Sequence, residues 1–186
     1  MKRLFDIALA CLLVIVLSLP LAMLAFAVRL TSSGPILYWS DRVGRHNAIF
    51  KMPKFRSMKT GTPQVATHLL GNPHAHLTCI GSFLRRSSLD ELPQLWNILK
   101  GDMSFVGPRP ALFNQGDLIE LRIHHGVDTL LPGLTGWAQI NGRDELPIPE
   151  KVALDSEYLK KRSFWFDIKI IMLTVLRVAK RDNVMH

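Results

Sequence analysis

Two adjacent carboxylates, Asp90 and Glu91, follow two guanidinium groups in the run Arg85-Arg86-Ser87-Ser88-Leu89-Asp90-Glu91. Neighbouring residues at a helix start point in different directions, so one carboxylate can act as nucleophile while the other handles a metal ion or a proton. Arginines beside a helix N-terminus suit phosphate oxygens. The same residue types also fit a capped helix carrying solvated ion pairs, so the context has to decide. A second group, Lys100-Gly101-Asp102-Met103-Ser104-Phe105-Val106-Gly107-Pro108-Arg109-Pro110, holds Arg109 between two prolines that stiffen its backbone, which suits fixing one cationic fork for phosphate. A third, Pro132-Gly133-Leu134-Thr135-Gly136-Trp137-Ala138-Gln139-Ile140-Asn141-Gly142-Arg143, combines glycines, an aromatic, two amides and an arginine. That composition suits a base, ribose or sugar next to a phosphate.

These groups need elements to position them. Leu92, Leu95, Trp96 and Leu99 recur at helical spacing and Gly101 follows, which predicts a helix over residues 90–100 with Asp90 as N-cap and Pro93 at the third helical position. Gly107-Pro108, Pro110, Pro132-Gly133 and Gly136 then divide the chain into short helical or extended pieces. Upstream, residues 36–39 and 48–52 flank Gly44-Arg45-His46-Asn47 and read as a β-hairpin. Residues 60–78, rich in Thr, Gly, Pro and His without apolar periodicity, read as a surface loop placed to cover a site. Residues 164–177 are apolar around most of a helix and are bracketed by Lys160-Lys161-Arg162 and Lys180-Arg181. They read as an interfacial helix with Trp165 at the headgroup level, or as a buried core helix.

A chain of 186 residues has room for one functional unit, and 48% hydrophobic against 20% charged residues excludes a disordered tail protein. Cys11 and Cys79 make neither a disulfide framework nor a four-thiolate metal site, which fits a reducing, cytoplasmic setting. The formal charge is +7 over residues 1–59, −4 over 60–157 and +5 over 158–186. Basic ends beside apolar runs favour an anionic membrane face over nucleic acid. Residues 7–28 carry no charge and as one helix would be about 33 Å long, enough to cross the hydrocarbon layer. The run is too long for a cleaved signal peptide and no small-x-small cleavage site follows it. Pro20 interrupts it, with Ser18 able to cover a freed carbonyl, and divides it into arms of about 13 and 8 residues, neither long enough to cross alone. Positive charge flanks both ends, Lys2 and Arg3 before and Arg29, Arg42 and Arg45 after, so the positive-inside rule selects neither end. A re-entrant hairpin satisfies both; a kinked spanning helix is the alternative.

Five segments in order, Lys54-Phe55-Arg56-Ser57-Met58, Ser88-Leu89-Asp90-Glu91-Leu92-Pro93-Gln94, Lys100-Gly101-Asp102-Met103-Ser104, Gly107-Pro108-Arg109-Pro110 and residues 133–143, resemble the motifs of the bacterial sugar transferases. These are the monotopic polyprenyl-phosphate phosphoglycosyl transferases, and the resemblance covers essentially the whole chain. It implies an α+β, mostly helical fold: a re-entrant membrane helix over residues 1–30, hinged at Ser18 and Pro20, then a cytoplasmic catalytic domain over 31–186 with a small β-hairpin, loop-rich helical parts and interfacial amphipathic helices. It implies Asp90 as nucleophile of an Asp-Glu dyad, Glu91 as a holder of Mg²⁺ or mover of a proton, both carboxylates as the Mg²⁺ ligands, and Arg85 and Arg109 on phosphate. Lys54, Arg56, Gln139, Asn141 and Arg143 belong to the same motifs as candidate substrate-binding residues. The implied reaction is a sugar-1-phosphate transfer from a UDP-sugar, N-acetylated or 6-deoxy, to polyprenyl (undecaprenyl) phosphate at the cytoplasmic face of the bacterial inner membrane. UMP is released through a covalent phosphosugar-aspartate intermediate, as the first membrane step of glycan assembly. The family breaks its re-entrant helix at an adjacent Ser-Pro pair, whereas here the order is Ser18-Leu19-Pro20. Relatives with a multi-pass N-terminal region exist, and this chain is expected to be the small form.

Two other classes compete. A membrane-associated metal-dependent phosphohydrolase would draw on His68, His74, His76, His124 and His125, but no acidic residue lies close to His74-x-His76 in sequence. A nucleic-acid-binding module would leave the apolar termini unexplained and set adjacent carboxylates against a phosphate backbone.

Overall fold

The apolar N-terminal run folds as two helices, α1 (Lys2–Val16) and α2 (Ser18–Thr31), bent by 64° at Leu17. The break lies one turn before Pro20 and not at it. Pro20 has no N–H for the Val16 carbonyl and its ring crowds that carbonyl, so the ladder opens upstream. Ser18 Oγ donates to the Ile15 carbonyl at 2.8 Å, one residue before the Val16 carbonyl that it was expected to cover. The arms are therefore 15 and 14 residues, about 22 and 21 Å, nearer to equal than the position of Pro20 implied. No single helix among the described residues, 1–63, 72–142 and 146–179 of the computed structural model, is long and apolar enough to cross a membrane. The bent pair together is.

The hairpin forms as expected, with longer strands: β1 (Leu37–Val43) pairs antiparallel with β2 (Ile49–Phe55), Leu37 opposite Phe55 and Val43 opposite Ile49. His46 and Asn47 take positive φ at the tip, a conformation Asn tolerates better than most residues. Pro53, which cannot donate to a ladder, lies in β2, an edge strand of the sheet order β2-β1-β4, where β4 is Ala111–Leu112. A second, parallel pair joins β3 (Ser104–Val106) to β5 (Gly133–Thr135).

The central part of the loop expected over residues 60–78, including His68, lies outside the described residues, as do Arg143, Lys180 and Arg181. After a 3₁₀ turn (Pro73–His76), α3 (Gly81–Ser87) leads to the two carboxylates. The single helix expected over residues 90–100 is divided: a 3₁₀ helix (Leu89–Gln94) precedes α4 (Leu95–Lys100). Pro93 has no N–H to close an α-turn and its ring disfavours α geometry at Leu92, so regular α-helix begins only after it. The cap position falls on Ser88, in the left-handed region at φ 58°, and Asp90 lies inside the first turn. The remaining α-helices among the described residues are α5 (Gly116–His124), α6 (Trp137–Asn141), α7 (Ile148–Lys161) and α8 (Phe164–Ala179).

The main core gathers Ala10 of α1, Leu95 and Ile98 of α4, Phe105 and Val106 of β3, Tyr158 of α7 and Ile170 of α8. A second core packs Val28 of α2 against Phe55 and Leu84. Both arms of the apolar run are thus fastened to one folded body. Lys2 and Arg3 add polar clamps: Lys2 Nζ bonds Asp167 and the Tyr158 hydroxyl, and Arg3 donates to the Ile98 and Leu99 carbonyls at the end of α4. A cation there also suits the negative pole of that helix. One side of α8 is core, with Ile170 and Asp167 buried, while Trp165, Met172 and Val175 are exposed. The buried side bears out the core reading, and the exposed side is apolar as the interfacial reading requires.

Candidate active site

Asp90 and Glu91 are carried by the 3₁₀ helix that packs across β2. This places Lys54, near the end of β2, against Glu91: Nζ lies 2.7 Å from Oε1. Arg109, from the Pro108-Arg109-Pro110 segment, brings Nη2 to the same oxygen at 3.1 Å. Arg85, in the last turn of α3, comes close enough across the reversal at Ser88 to lower the pKa of Asp90 by its charge. Three cations from three separate stretches of sequence, Lys54, Arg85 and Arg109, therefore meet around the Asp90-Glu91 dyad.

The two carboxylates are tuned in opposite directions. Burial raises Asp90 to about 6, with Lys54 opposing, Glu91 adding to the rise, and Arg85 and Arg109 opposing further. Burial would raise Glu91 too, but Lys54 and Arg109 outweigh it by charge and by hydrogen bond and hold that carboxyl well below the usual range. Glu91 is therefore a fixed anion. Asp90 stays mostly ionised at neutral pH, yet is more basic than an ordinary aspartate, which suits a nucleophile.

Adjacent carboxylates are also a donor set that Mg²⁺ accepts when substrate phosphates and waters complete its shell. The residues fit that ion: the surrounding cations do not fully offset burial at Asp90, and one Glu91 oxygen holds both Lys54 and Arg109.

Other expected site residues sit elsewhere. Arg56 is buried under the Ser33-Gly34 turn, where Nη1 meets Thr60 Oγ1 at 3.1 Å, and its Nε has no partner among the described residues. Gln139 donates to the Leu134 carbonyl and Asn141 to the Trp137 carbonyl, so both amides are bonded to their own segment. Trp137 is held by Glu157 and lies against Phe166. The glycines of that segment serve backbone packing: a Cβ at Gly133 or Gly136 would overlap the backbone of Gly107. Arg143 lies outside the described residues. Among the described residues no three His, Cys, Asp or Glu side chains gather as a metal-holding group, and His124 and His125 pack edge to face at the end of α5.

The model of the family described as "Bacterial sugar transferase" matches residues 1–181. The chain belongs to that family. Among its relatives, the UDP-glucose:undecaprenyl-phosphate glucose-1-phosphate transferase of Escherichia coli (strain K12) is 45% identical over 188 residues, covering 95% of this chain and 40% of the relative. The undecaprenyl-phosphate galactose phosphotransferase of Salmonella typhimurium is 40% identical over 201 residues, 98% of this chain and 41% of that protein. The uncharacterized sugar transferase EpsL of Bacillus subtilis is 39% identical over 187 residues, 99% of this chain and 90% of that protein. The chain spans about two-fifths of the length of the first two relatives.

Three buried groups of this sugar transferase escaped the sequence reading. Arg122 and Asp155 form an ion pair beneath Arg109, and Asp6 accepts from Ser104 Oγ and the Phe105 N–H. The signal for Arg122 was its place four residues after the buried Leu118, on the inward side of α5.

Proposed function

We propose that this sugar transferase moves a sugar phosphate from a UDP-sugar to undecaprenyl phosphate. The observation that carries the reading is the Asp90 carboxylate, buried among Lys54, Arg85 and Arg109 with its pKa near 6. An Asp90 oxygen attacks the β-phosphorus, the bond from that phosphorus to the bridging oxygen breaks, and UMP leaves with the electron pair. A phosphosugar ester on Asp90 results. A phosphate oxygen of undecaprenyl phosphate then attacks the same phosphorus and frees the carboxylate. The route is ping-pong.

In this reading Arg109 and Lys54 hold phosphate oxygens; the support is that both side chains reach Glu91, beside Asp90. Mg²⁺, held by Asp90 and Glu91, would supply charge neutralisation on the diphosphate. The names of the relatives support a UDP-glucose or UDP-galactose donor, and N-acetylated and 6-deoxy donors belong in the same test.

The bent pair α1-α2 is read as a re-entrant membrane segment with the site at the cytoplasmic lipid surface. The support is that Lys2, Arg3 and Ala10 at one end, and Val28 at the other, attach to the same body. The face of the pair away from that body exposes Leu12, Ile15, Leu19, Met23 and Phe26. An apolar surface of this extent suits lipid.

The test is UMP release from a panel of UDP-sugars by the detergent-solubilised protein, with and without undecaprenyl phosphate, joined to intact-protein mass spectrometry. The expected result is a donor-dependent mass gain of one phosphosugar that disappears on adding undecaprenyl phosphate. Turnover with no adduct in wild type, or with the adduct retained in Asp90→Asn, would overturn the mechanism.

A further inference from the structure

We propose that Arg122, held by Asp155, is a positioning residue that sets where the Arg109 guanidinium stands. The inference rests on the role given to Arg109 above and extends it to residues that touch neither carboxylate of the dyad.

Pro108 and Pro110 have no N–H, so the segment carrying Arg109 can be fastened to its surroundings chiefly through its carbonyls. All three are taken. The Pro108 carbonyl accepts from the Gly133 N–H at 2.9 Å, the Arg109 carbonyl from Arg122 Nη1 at 2.8 Å, and the Pro110 carbonyl from Arg42 Nη1 at 3.2 Å. Arg122 reaches its acceptor from the buried side of α5 and is itself clamped by α7. Its Nε and Nη2 lie 3.1 and 2.7 Å from Asp155 Oδ2, and the two residues are 8% and 2% exposed.

An ion pair so far from water is a weak source of stability, because desolvation offsets most of the attraction. What it supplies is a fixed direction: two donors on one carboxylate oxygen leave the third nitrogen aimed at a single carbonyl. The line then runs from Asp155 through Arg122 to the Arg109 backbone, and from Arg109 Nη2 to Glu91 Oε1 at 3.1 Å. A sideways shift of that backbone moves the guanidinium off the dyad. Misplacement of about 1 Å is enough to cost up to about 100-fold in rate.

The experiment is a double-mutant cycle on the full chain in detergent, reading kcat and KM for UMP release with the donor the panel identifies. Arg122→Lys keeps the charge and the pairing with Asp155 but cannot also fix the Arg109 carbonyl. It is expected to lower kcat about tenfold or more while KM stays within about twofold. In an Arg109→Lys background, where the planar fork is gone, the same change is expected to cost less than about threefold. Asp155→Asn frees Arg122 by a second route, and its kcat loss should shrink in the same background. Thermal midpoints of all variants are measured alongside. Equal losses in both backgrounds, unchanged kcat in Arg122→Lys, or losses that follow the thermal midpoints alone would overturn the proposal. Absence of UMP release by wild type from any UDP-sugar overturns the reading of the site and this inference with it.

Discussion

Asp90 and Glu91 are chemically alike, and their surroundings make them different. Asp90→Asn should end both turnover and adduct formation, since the amide matches the shape but is a poor nucleophile. It should also raise the thermal midpoint near pH 7.5. Because the folded-state pKa of Asp90 is raised, ionising it costs folding free energy that is present above about pH 6 and relieved as the pH falls towards 4. An Asn variant that melts below wild type at that pH would contradict the assigned environment. The same pKa makes activity depend on pH: kcat/KM should climb with pH through about 6 as the nucleophile ionises, with no corresponding limb from Glu91, which stays charged throughout that window. For Arg109→Lys, a folded protein with kcat/KM lowered at least about tenfold is expected, because an ammonium cannot make the two-pronged contact. Unchanged kinetics would place Arg109 outside the site.

Among the elements, the bent pair α1-α2 has two independent restraints. Pro20 opens the helix at Leu17, and Lys2 and Arg3 tie its first turn to α8 and α4. Pro20→Leu restores a donor to the Val16 carbonyl and permits one continuous apolar helix, yet the clamps still hold Met1 beside the folded body. We expect cysteine labelling, after removal of Cys11 and Cys79, to find the N-terminus cytoplasmic in Pro20→Leu. It should reach the far side in some molecules only when Lys2 and Arg3 are also replaced by Ala. An N-terminus already outside in wild type would replace the re-entrant segment with a spanning helix and leave the dyad chemistry untouched. The β3-β5 pair makes a different prediction. Gly107 sits against the Leu131 carbonyl and the backbone of residues 132 and 133, so Gly107→Ala should cost about 3 kcal/mol or more and abolish soluble, monodisperse protein in detergent.

For the molecule as a whole, the apolar surface is continuous in kind from the outer side of α1 and α2 to the exposed residues of α8, with Trp165 77% exposed. Attachment that depends on such burial differs from attachment by charge, because salt screens the second and strengthens the first. The protein should therefore stay in the membrane pellet at about 1 M salt and come away only with detergent. Release by salt alone would mean that the basic termini, not the apolar face, hold it.

How much of this was legible in the sequence follows from the range over which each feature is decided. The dyad, the arginine between prolines, the hairpin and the interruption near Pro20 are local: their residue types and spacings bias the backbone within a few positions, whatever the rest of the chain does. That Lys54 and Arg109 share one oxygen of Glu91 is not local, because the partners are 37 and 18 residues away and only the packing of the 3₁₀ helix on β2 brings them together. The same holds for Lys2, which resembles a topogenic charge in sequence but ends on Asp167, 165 residues later. The glycines of residues 133–136 looked like ligand-site composition, while their small size is required where β5 lies against Gly107. Composition and spacing thus determined which groups were present and which segments could carry them. Long-range burial decided which charges met, because a buried charge without its partner is too costly to keep and each pairing needs the whole fold to form.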